Sequence, residues 1–233
     1  MTGGRRDLTK GSERQMAAKN PVFPFVGYLS CFYLAWTLVW VHRVYPWATR
    51  TIGDARLMYA LINIACRLLI WVLPVLLYLR YLDQVNVWEY LQLKQHWKRG
   101  VIVGLTISAI NFLGMMIRIG QPAWESAHVT WNSILGTSLL VGVFEEVPFR
   151  GFVLQKLQER LNGVTSTIIS SVLFVGAHIP GWIMLGTFTA YKVLYIFVFG
   201  AVMAVIFRYS QSLWAPIVTH SLNDGLSSVI FHI

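Results

Sequence analysis

The sequence contains little charge and few cysteines, and both features limit what kind of protein it encodes. Only 12% of its 233 residues are charged, whereas 56% are hydrophobic. A soluble domain has about 25% charged residues, so this composition predicts a membrane protein. The two cysteines, Cys31 and Cys66, lie in separate apolar runs and lack a CxxC spacing. We interpret both as small packing residues.

No soluble domain, sequence repeat or low-complexity tract is visible, and long apolar runs occupy most of the chain. The uncharged run Pro21–Val41 matches the length of about 20 residues that a helix needs to cross a bilayer. A signal peptide is the alternative, but its apolar core has only about 7 to 15 residues. Because further apolar runs follow, we interpret this one as a permanent helix.

The apolar runs predict an all-α, polytopic membrane helix bundle of about seven transmembrane helices. Backbone polar groups in a membrane must be satisfied within helices or a closed barrel, and the lengths and lack of strict alternation favour helices. The predicted spans are Pro21–Val41, Leu57–Leu79, Val101–Ile117, Thr130–Arg160, Val164–His178, Val193–Phe207 and Leu213–Ile233. We divide the chain into a basic tail (1–20), three N-terminal helices (21–131) and a core of four helices (132–233).

The net charge of +9 could indicate nucleic-acid binding, but the positions of the basic residues indicate a membrane topology instead. With a cytoplasmic N-terminus, 12 of the 19 Lys and Arg residues face the cytoplasm, 5 face the other side, and Arg67 and Arg150 lie within spans. This bias predicts a multi-pass plasma-membrane protein with its N-terminus inside. We expect the tail to be a disordered arm near anionic lipid. The expected partner is therefore the lipid bilayer and not nucleic acid, for which no motif is present.

Two adjacent carboxylates lie inside an apolar helix, in the stretch VGVFEEVPFRGFVLQKL (141–157). Residues four apart share a helix face, so Glu146 and Arg150 are predicted to form an ion pair. Glu145 points away from that pair and has no cation three or four residues away in its own helix. A buried carboxyl without a partner resists ionisation and is suited to accept a proton near neutral pH. Glu145 is therefore the candidate general base.

Pro148 lies in the same helix and cannot donate a hydrogen bond to the carbonyl of Phe144. We expect a kink one turn from the carboxylates, with a freed carbonyl that favours nearby water. The alternative is that both glutamates only hold the bundle together through interhelical hydrogen bonds. Ionisable residues inside membranes usually mark function, although structural pairs also occur.

Two further stretches, FVGAH (174–178) and THSLND (219–224), place polar groups on other predicted spans. His178 shares a face with Phe174, and His220 shares one with Asp224, with Asn223 beside them. A rise of about 1.5 Å per residue places these groups and the glutamates in one layer. A lone histidine in an apolar helix is usually a hydrogen-bonded core residue, but this set on three spans favours a functional site.

These stretches resemble the motifs of the CPBP family of intramembrane proteases, also called the Abi or type II CAAX-prenyl-protease family. EEVPFRG is similar to the family's EExxxR, FVGAH to FxxxH and HSLND to HxxxN/D. The segment FRYSQSLWAPIVTHSLND (207–224) also resembles the family's passage into its last helix, and the similarity covers about 132–233. The resemblance implies an intramembrane glutamic endopeptidase whose substrate is a membrane protein or a lipidated, CAAX-type peptide.

The resemblance also implies a role for each matching residue. Glu145 activates water, His178 orients or protonates the reacting groups, and His220 with Asp224 stabilises the oxyanion. The sequence departs from the commoner Asn at position 224, and a carboxylate donates a hydrogen bond only when it is protonated. Either Asn223 or a neutral Asp224 must then supply the donor. The candidate catalytic residues are Glu145, Glu146, Arg150, His178, His220, Asn223 and Asp224.

Three alternatives remain open beside metal-free proteolysis. Zinc could be held by His178, His220 and Glu145, but no HExxH is present, so we expect no cofactor. A catalytically silent bacteriocin-immunity or scaffold protein of the same fold would have less need for the intact set of polar residues. A transporter could use them as a proton relay, but the chain lacks matching halves.

Overall fold

The computed structural model describes residues 22–42, 44–53, 56–120 and 129–231. These residues form helices joined by turns and loops, and none of them belongs to a β-strand. The predicted all-α membrane helix bundle is therefore confirmed. The predicted basic tail (1–20), Pro21 and the last two residues of the chain lie outside the described residues.

The helices are α1 (Val22–Val41), α2 (Val44–Ile52), α3 (Leu57–Leu82), α4 (Val87–Tyr90), α5 (Trp97–Ile119), α6 (Asn132–Leu139), α7 (141–158), α8 (Gly163–Met184), α9 (Ala190–Ser210) and α10 (Trp214–Gly225). A π-helical segment, Leu226–Ile230, continues α10. Within the described residues, five are long and apolar enough to cross a membrane, namely α1, α3, α5, α8 and α9. They correspond to the predicted first, second, third, fifth and sixth spans. The predicted fourth and seventh spans are helical but divided into shorter segments, so the number seven stays a prediction. α8 continues past the predicted end at His178, through Pro180, to Met184.

The helix that carries both glutamates changes its hydrogen-bond pattern at the proline predicted to kink it. Within α7, Val141–Glu146 is α-helical and Val147–Leu154 is π-helical, with the wider i→i+5 pattern. Pro148 lies in the first turn of the wider segment, where its missing N–H interrupts the α-helical ladder. Single π-helical turns are frequent at functional sites, because they move side chains out of the regular α-helical positions.

Aromatic packing joins the N-terminal helices to the rest of the bundle. Trp71 of α3 packs edge-to-face on Phe32 and Trp36 of α1, with ring centroids 5.2 and 5.0 Å away, and on Phe149 of α7 at 5.8 Å. Trp36 also donates a hydrogen bond from Nε1 to the carbonyl of Ala177 in α8, at 2.8 Å. These contacts join α1 to α3 and α8, and they fix α3 beside the glutamates.

Glycines allow α10 to approach α5 and α7 closely. A Cβ atom added to Gly142 of α7 would collide with the backbone carbonyl of Ile217 in α10. One added to Gly104 of α5 would lie 2.9 Å from the carbonyl of Ala215. α10 is therefore held between two helices, with its polar face directed towards α7.

The two cysteines are free, as the sequence indicates, but only one of them packs inside the protein. Cys66 is partly buried, whereas Cys31 lies on the exposed face of α1. The interpretation of Cys31 as a packing residue was therefore wrong. The buried face of α1 consists of Tyr28, Phe32 and Trp36, which are large aromatic side chains.

Candidate active site

All seven predicted site residues meet in one cluster, to which α7, α8 and α10 contribute. A cavity of about 70 Å³ lies at its centre, large enough for water. Its polar lining consists of Glu145, His178, His220, Asn223, Asp224 and Tyr195, and its apolar lining of Phe174, Ile196 and Phe199. The other two predicted residues, Glu146 and Arg150, contact the cluster from behind the cavity.

Glu146 and Arg150 form the ion pair that their spacing predicts. Arg150 Nη1 lies 3.1 Å from Glu146 Oε1, and the two side chains are only 1% and 0% exposed. Arg150 also donates from Nη2 to the carbonyl of Gly200 at 3.0 Å. Its guanidinium carbon lies 4.3 Å from the ring centroid of Phe174, the aromatic residue of the FVGAH stretch. The pair is thus fully enclosed, and it links α7 to α8 and α9.

Glu145 has a cationic partner, contrary to the expectation of an unpaired carboxyl. Arg67 of α3 donates from Nη1 to Glu145 Oε1 at 3.0 Å. The expectation was wrong because it considered only cations in the same helix, and this one comes from another span. Glu145 Oε2 faces two imidazole nitrogens, Nε2 of His178 and Nε2 of His220, each 3.8 Å away. These distances exceed a direct hydrogen bond, so neither imidazole binds Oε2 directly.

His178 is oriented by the backbone of its own helix. Its Nδ1 lies 2.9 Å from the carbonyl oxygen of Phe174, one turn earlier. Because a carbonyl oxygen only accepts, Nδ1 is the donor in this bond. Nε2 is therefore the nitrogen that faces Glu145 and the cavity.

His220 is oriented by the buried carboxylate behind it. Its Nδ1 lies 2.6 Å from Glu146 Oε1, the same oxygen that accepts from Arg150. Its Nε2 faces the cavity, 3.8 Å from Glu145 Oε2 and 3.7 Å from Asp224 Oδ2. Both ring nitrogens thus face carboxylate oxygens, an arrangement that suits an imidazole donating from both sides.

Asn223 and Asp224 lie at the more open side of the cavity, and the Asp224 side chain is 29% exposed. Asn223 Nδ2 donates to Asp224 Oδ1 at 3.1 Å. Asn223 Oδ1 in turn accepts from Nδ2 of Asn111 in α5 at 2.8 Å. One N–H of the Asn223 amide is therefore committed to Asp224.

The described residues contain no group of three or more His, Cys, Asp or Glu side chains that could hold a metal ion. The absence of a cofactor remains a prediction, since only metal analysis of the protein tests it.

The sequence interpretation missed three polar residues near the site: Arg67, Asn63 and Asn132. Arg67 Nε donates to Asn63 Oδ1 at 3.2 Å, and Asn63 Nδ2 donates to Asn132 Oδ1 at 2.7 Å. The sequence contained one signal for Arg67, which is an arginine within an apolar run. Ionisable residues in membrane spans usually mark a functional site. The partner of Arg67 could not be identified from helix periodicity, which relates only residues of one helix.

Residues 127–226 match the family described as Type II CAAX prenyl endopeptidase Rce1-like. We refer to these residues as the Rce1-like segment, because they are similar to that family. The match contains all three motifs and confirms the family resemblance, although it covers less than half of the 233 residues. Comparisons with curated proteins and with solved structures found no match.

The Rce1-like segment and the five long apolar helices together indicate an integral, multi-pass membrane protein. Asn132 and every predicted site residue lie within this segment. Arg67 and Asn63 lie outside it, on α3. The N-terminal helices therefore contribute polar contacts that the family match does not include.

Proposed function

We propose that the protein is an intramembrane endopeptidase of the CAAX type, which cleaves a membrane-associated or prenylated protein without a metal ion. One observation carries this proposal: a buried carboxylate and two imidazole nitrogens face one water-sized cavity. The Rce1-like match supports the same class of reaction, since its description names a prenyl endopeptidase.

Glu145 is the general base in this proposal. Its Oε2 takes a proton from a water molecule in the cavity, and the water oxygen attacks the carbonyl carbon of the scissile peptide bond. The separation of 3.8 Å between Oε2 and each imidazole Nε2 supports a position for water between these groups. His178 orients the water through Nε2, because its Nδ1 already donates to the carbonyl of Phe174. When the C–N bond breaks, the proton held by Glu145 passes to the departing amine.

His220 stabilises the oxyanion that forms on the carbonyl oxygen. Nδ1 donates to Glu146, and Nε2–H then donates into the cavity. The negative charge of Glu146 stabilises a protonated imidazole, and Arg150 compensates the charge of Glu146. Asn223 or a protonated Asp224 supplies a second donor, since both line the cavity. A preorganised donor of this kind is worth about 100- to 1000-fold in turnover.

The orientation of the chain is part of the proposal. The excess of Lys and Arg on one side of the predicted spans supports a cytoplasmic N-terminus in the plasma membrane. Reporter domains fused to each end of the chain and assayed for accessibility in intact cells test this orientation.

The proposal is tested with purified protein in lipid nanodiscs and a fluorescent CAAX peptide, prenylated or unprenylated. We expect release of the C-terminal tripeptide, detected by mass spectrometry, and no loss of rate after chelation of metal ions. Cleavage that is abolished by chelator and restored by zinc would contradict the metal-free mechanism. No cleavage of either peptide, or of a panel of membrane peptides, would favour the catalytically silent scaffold or immunity alternative.

A further inference from the structure

A partly buried arginine from outside the Rce1-like segment contacts the proposed general base. Arg67 lies within the apolar helix α3, and its side chain is 20% exposed against 7% for Glu145. A charged side chain within a membrane span is costly unless it is paired, so its place in α3 requires a reason. Nη1 of Arg67 engages only one oxygen of Glu145, Oε1, at 3.0 Å. The other oxygen, Oε2, is the one that faces both histidines.

Arg67 itself is held in place by a chain of hydrogen bonds. Its Nε donates to Asn63 Oδ1 at 3.2 Å, and Asn63 donates to Asn132 Oδ1 at 2.7 Å. Its guanidinium carbon also lies 5.9 Å from the ring centroid of Trp71. A guanidinium fixed at two of its nitrogens has little freedom to move away from Glu145.

Gly136 of α6 provides the space for this chain. A Cβ atom at that position would lie 2.6 Å from Asn132 Oδ1 and 2.9 Å from Asn63 Nδ2. Both distances are shorter than normal contacts, so any side chain at position 136 would displace the Asn63–Asn132 hydrogen bond. The absence of a side chain at Gly136 therefore allows the hydrogen bonds that hold Arg67 in its observed orientation.

We propose that Arg67 is a positioning residue for Glu145: it binds Oε1, keeps the carboxylate ionised and leaves Oε2 as the oxygen that accepts the proton from water. This inference rests on the proposed function. Among the described residues, the other charged or titratable groups around Glu145 are His178 and His220 at 3.8 Å, with Arg150, Asp224, Tyr195 and Glu146 beyond them. The charge of a histidine changes near neutral pH, whereas a guanidinium stays protonated. Arg67 is thus a permanent positive charge in contact with Glu145.

A purely structural role would predict different results. If Arg67 only joined α3 to α7, its replacement would lower stability and the amount of folded enzyme. The turnover of the folded fraction and its pH dependence would stay unchanged. A positioning role predicts a change in kcat and in the acidic limb of the pH profile, because loss of the cation favours the protonated form of Glu145.

The test compares Arg67→Gln and Arg67→Lys with wild type on the prenylated CAAX peptide. We expect Arg67→Gln to lower kcat by about 10- to 100-fold with little change in KM. Its acidic limb should move to higher pH by about one unit, and Arg67→Lys should restore part of both effects. Arg118→Gln, at the exposed end of α5, is the matched control and should behave as wild type. If Arg67→Gln folds poorly, Gly136→Ala makes a milder change, and we expect it to shift both parameters in the same direction.

A second readout does not depend on cleavage. Infrared spectra at neutral pH should show the C=O stretch of a protonated carboxyl in Arg67→Gln, and this band should disappear in the double variant Arg67→Gln/Glu145→Gln. An unchanged spectrum together with a wild-type kcat and pH profile would overturn the positioning role. If the positioning role fails in this way while wild type cleaves and Glu145→Gln does not, the failure concerns Arg67 alone. The proposed function then stays intact. If wild type cleaves nothing but the band appears, the proposed function fails while the control of Glu145 by Arg67 stands.

Discussion

His220 donates through Nδ1 to Oε1 of Glu146, 2.6 Å away, and this bond directs the second ring nitrogen into the cavity. The same carboxylate oxygen accepts from Arg150, so one buried group both orients the histidine and neutralises the arginine. The second glutamate of the EEVPFRG stretch therefore acts through its neighbours and does not face the cavity itself.

The first prediction concerns the buried ion pair. Glu146→Ala or Arg150→Ala leaves its partner as an unpaired buried charge, which costs about 3 to 5 kcal/mol. We expect both variants to lower the free energy of unfolding, measured by denaturation in detergent, and to lower activity as well. Glu89→Ala, at an exposed position in α4, is the control. Variants as stable as wild type would mean that the pair does not hold the bundle together.

The second prediction concerns Asp224, where this sequence differs from the commoner Asn. An asparagine amide donates at every pH, whereas the native acid donates only when it is protonated. We therefore expect Asp224→Asn to retain or gain activity and to hold it to higher pH than wild type. We expect the kcat of Asp224→Leu to fall by about 100- to 1000-fold, which is the effect of removing an oxyanion donor in other enzymes.

The pH dependence of kcat checks this prediction. An inactive Asp224→Asn beside an active wild type would show that the carboxylate itself is required, as a metal ligand or a proton acceptor. Asn223→Ala completes the comparison, because Asn223 donates to Asp224 Oδ1 and is the other possible donor. If Asn223 is the donor, its variant should lose more activity than Asp224→Asn.

The third prediction concerns the contact between α7 and α10. Gly142→Ala places a methyl group against the carbonyl of Ile217 and 2.6 Å from Ser221 Oγ. We expect it to lower stability by about 1 to 3 kcal/mol, as overpacking does, and to lower activity by moving His220 away from Glu146. Gly114→Ala is the matched control, because a Cβ atom there has no neighbour within 4 Å. Equal stability and activity of the two variants would contradict this account of the helix contact.

The sequence predicted relations within one helix better than relations between helices. The Glu146–Arg150 pair was predictable because residues four apart share a helix face. The common depth of Glu145, His178 and His220 followed from the lengths of the spans, although not their mutual distances. Arg67 was visible as a charge within an apolar run, but no periodicity relates it to Glu145.

The π-helical segments could not be predicted either. Pro148 indicated a break in the helix, but the choice between a kink and a wider hydrogen-bond pattern depends on how α7 packs against its neighbours. The bounds of the predicted fourth and seventh spans could not be derived from hydropathy for the same reason. α6, α7 and α10 are interrupted where they surround the polar cluster, so length and hydropathy describe them less well than the outer helices.

If Glu145 takes the proton from the attacking water, replacing its carboxylate by an amide must stop cleavage. Glu145→Gln preserves the size of the side chain and removes only its capacity to accept that proton. Cleavage of the prenylated CAAX peptide is measured for this variant and for Glu89→Gln in the same nanodiscs, with folding verified by size-exclusion chromatography and thermal denaturation. We expect Glu145→Gln to be folded and inactive and Glu89→Gln to cleave as wild type does. A folded Glu145→Gln variant that cleaves at the wild-type rate would contradict the glutamate mechanism.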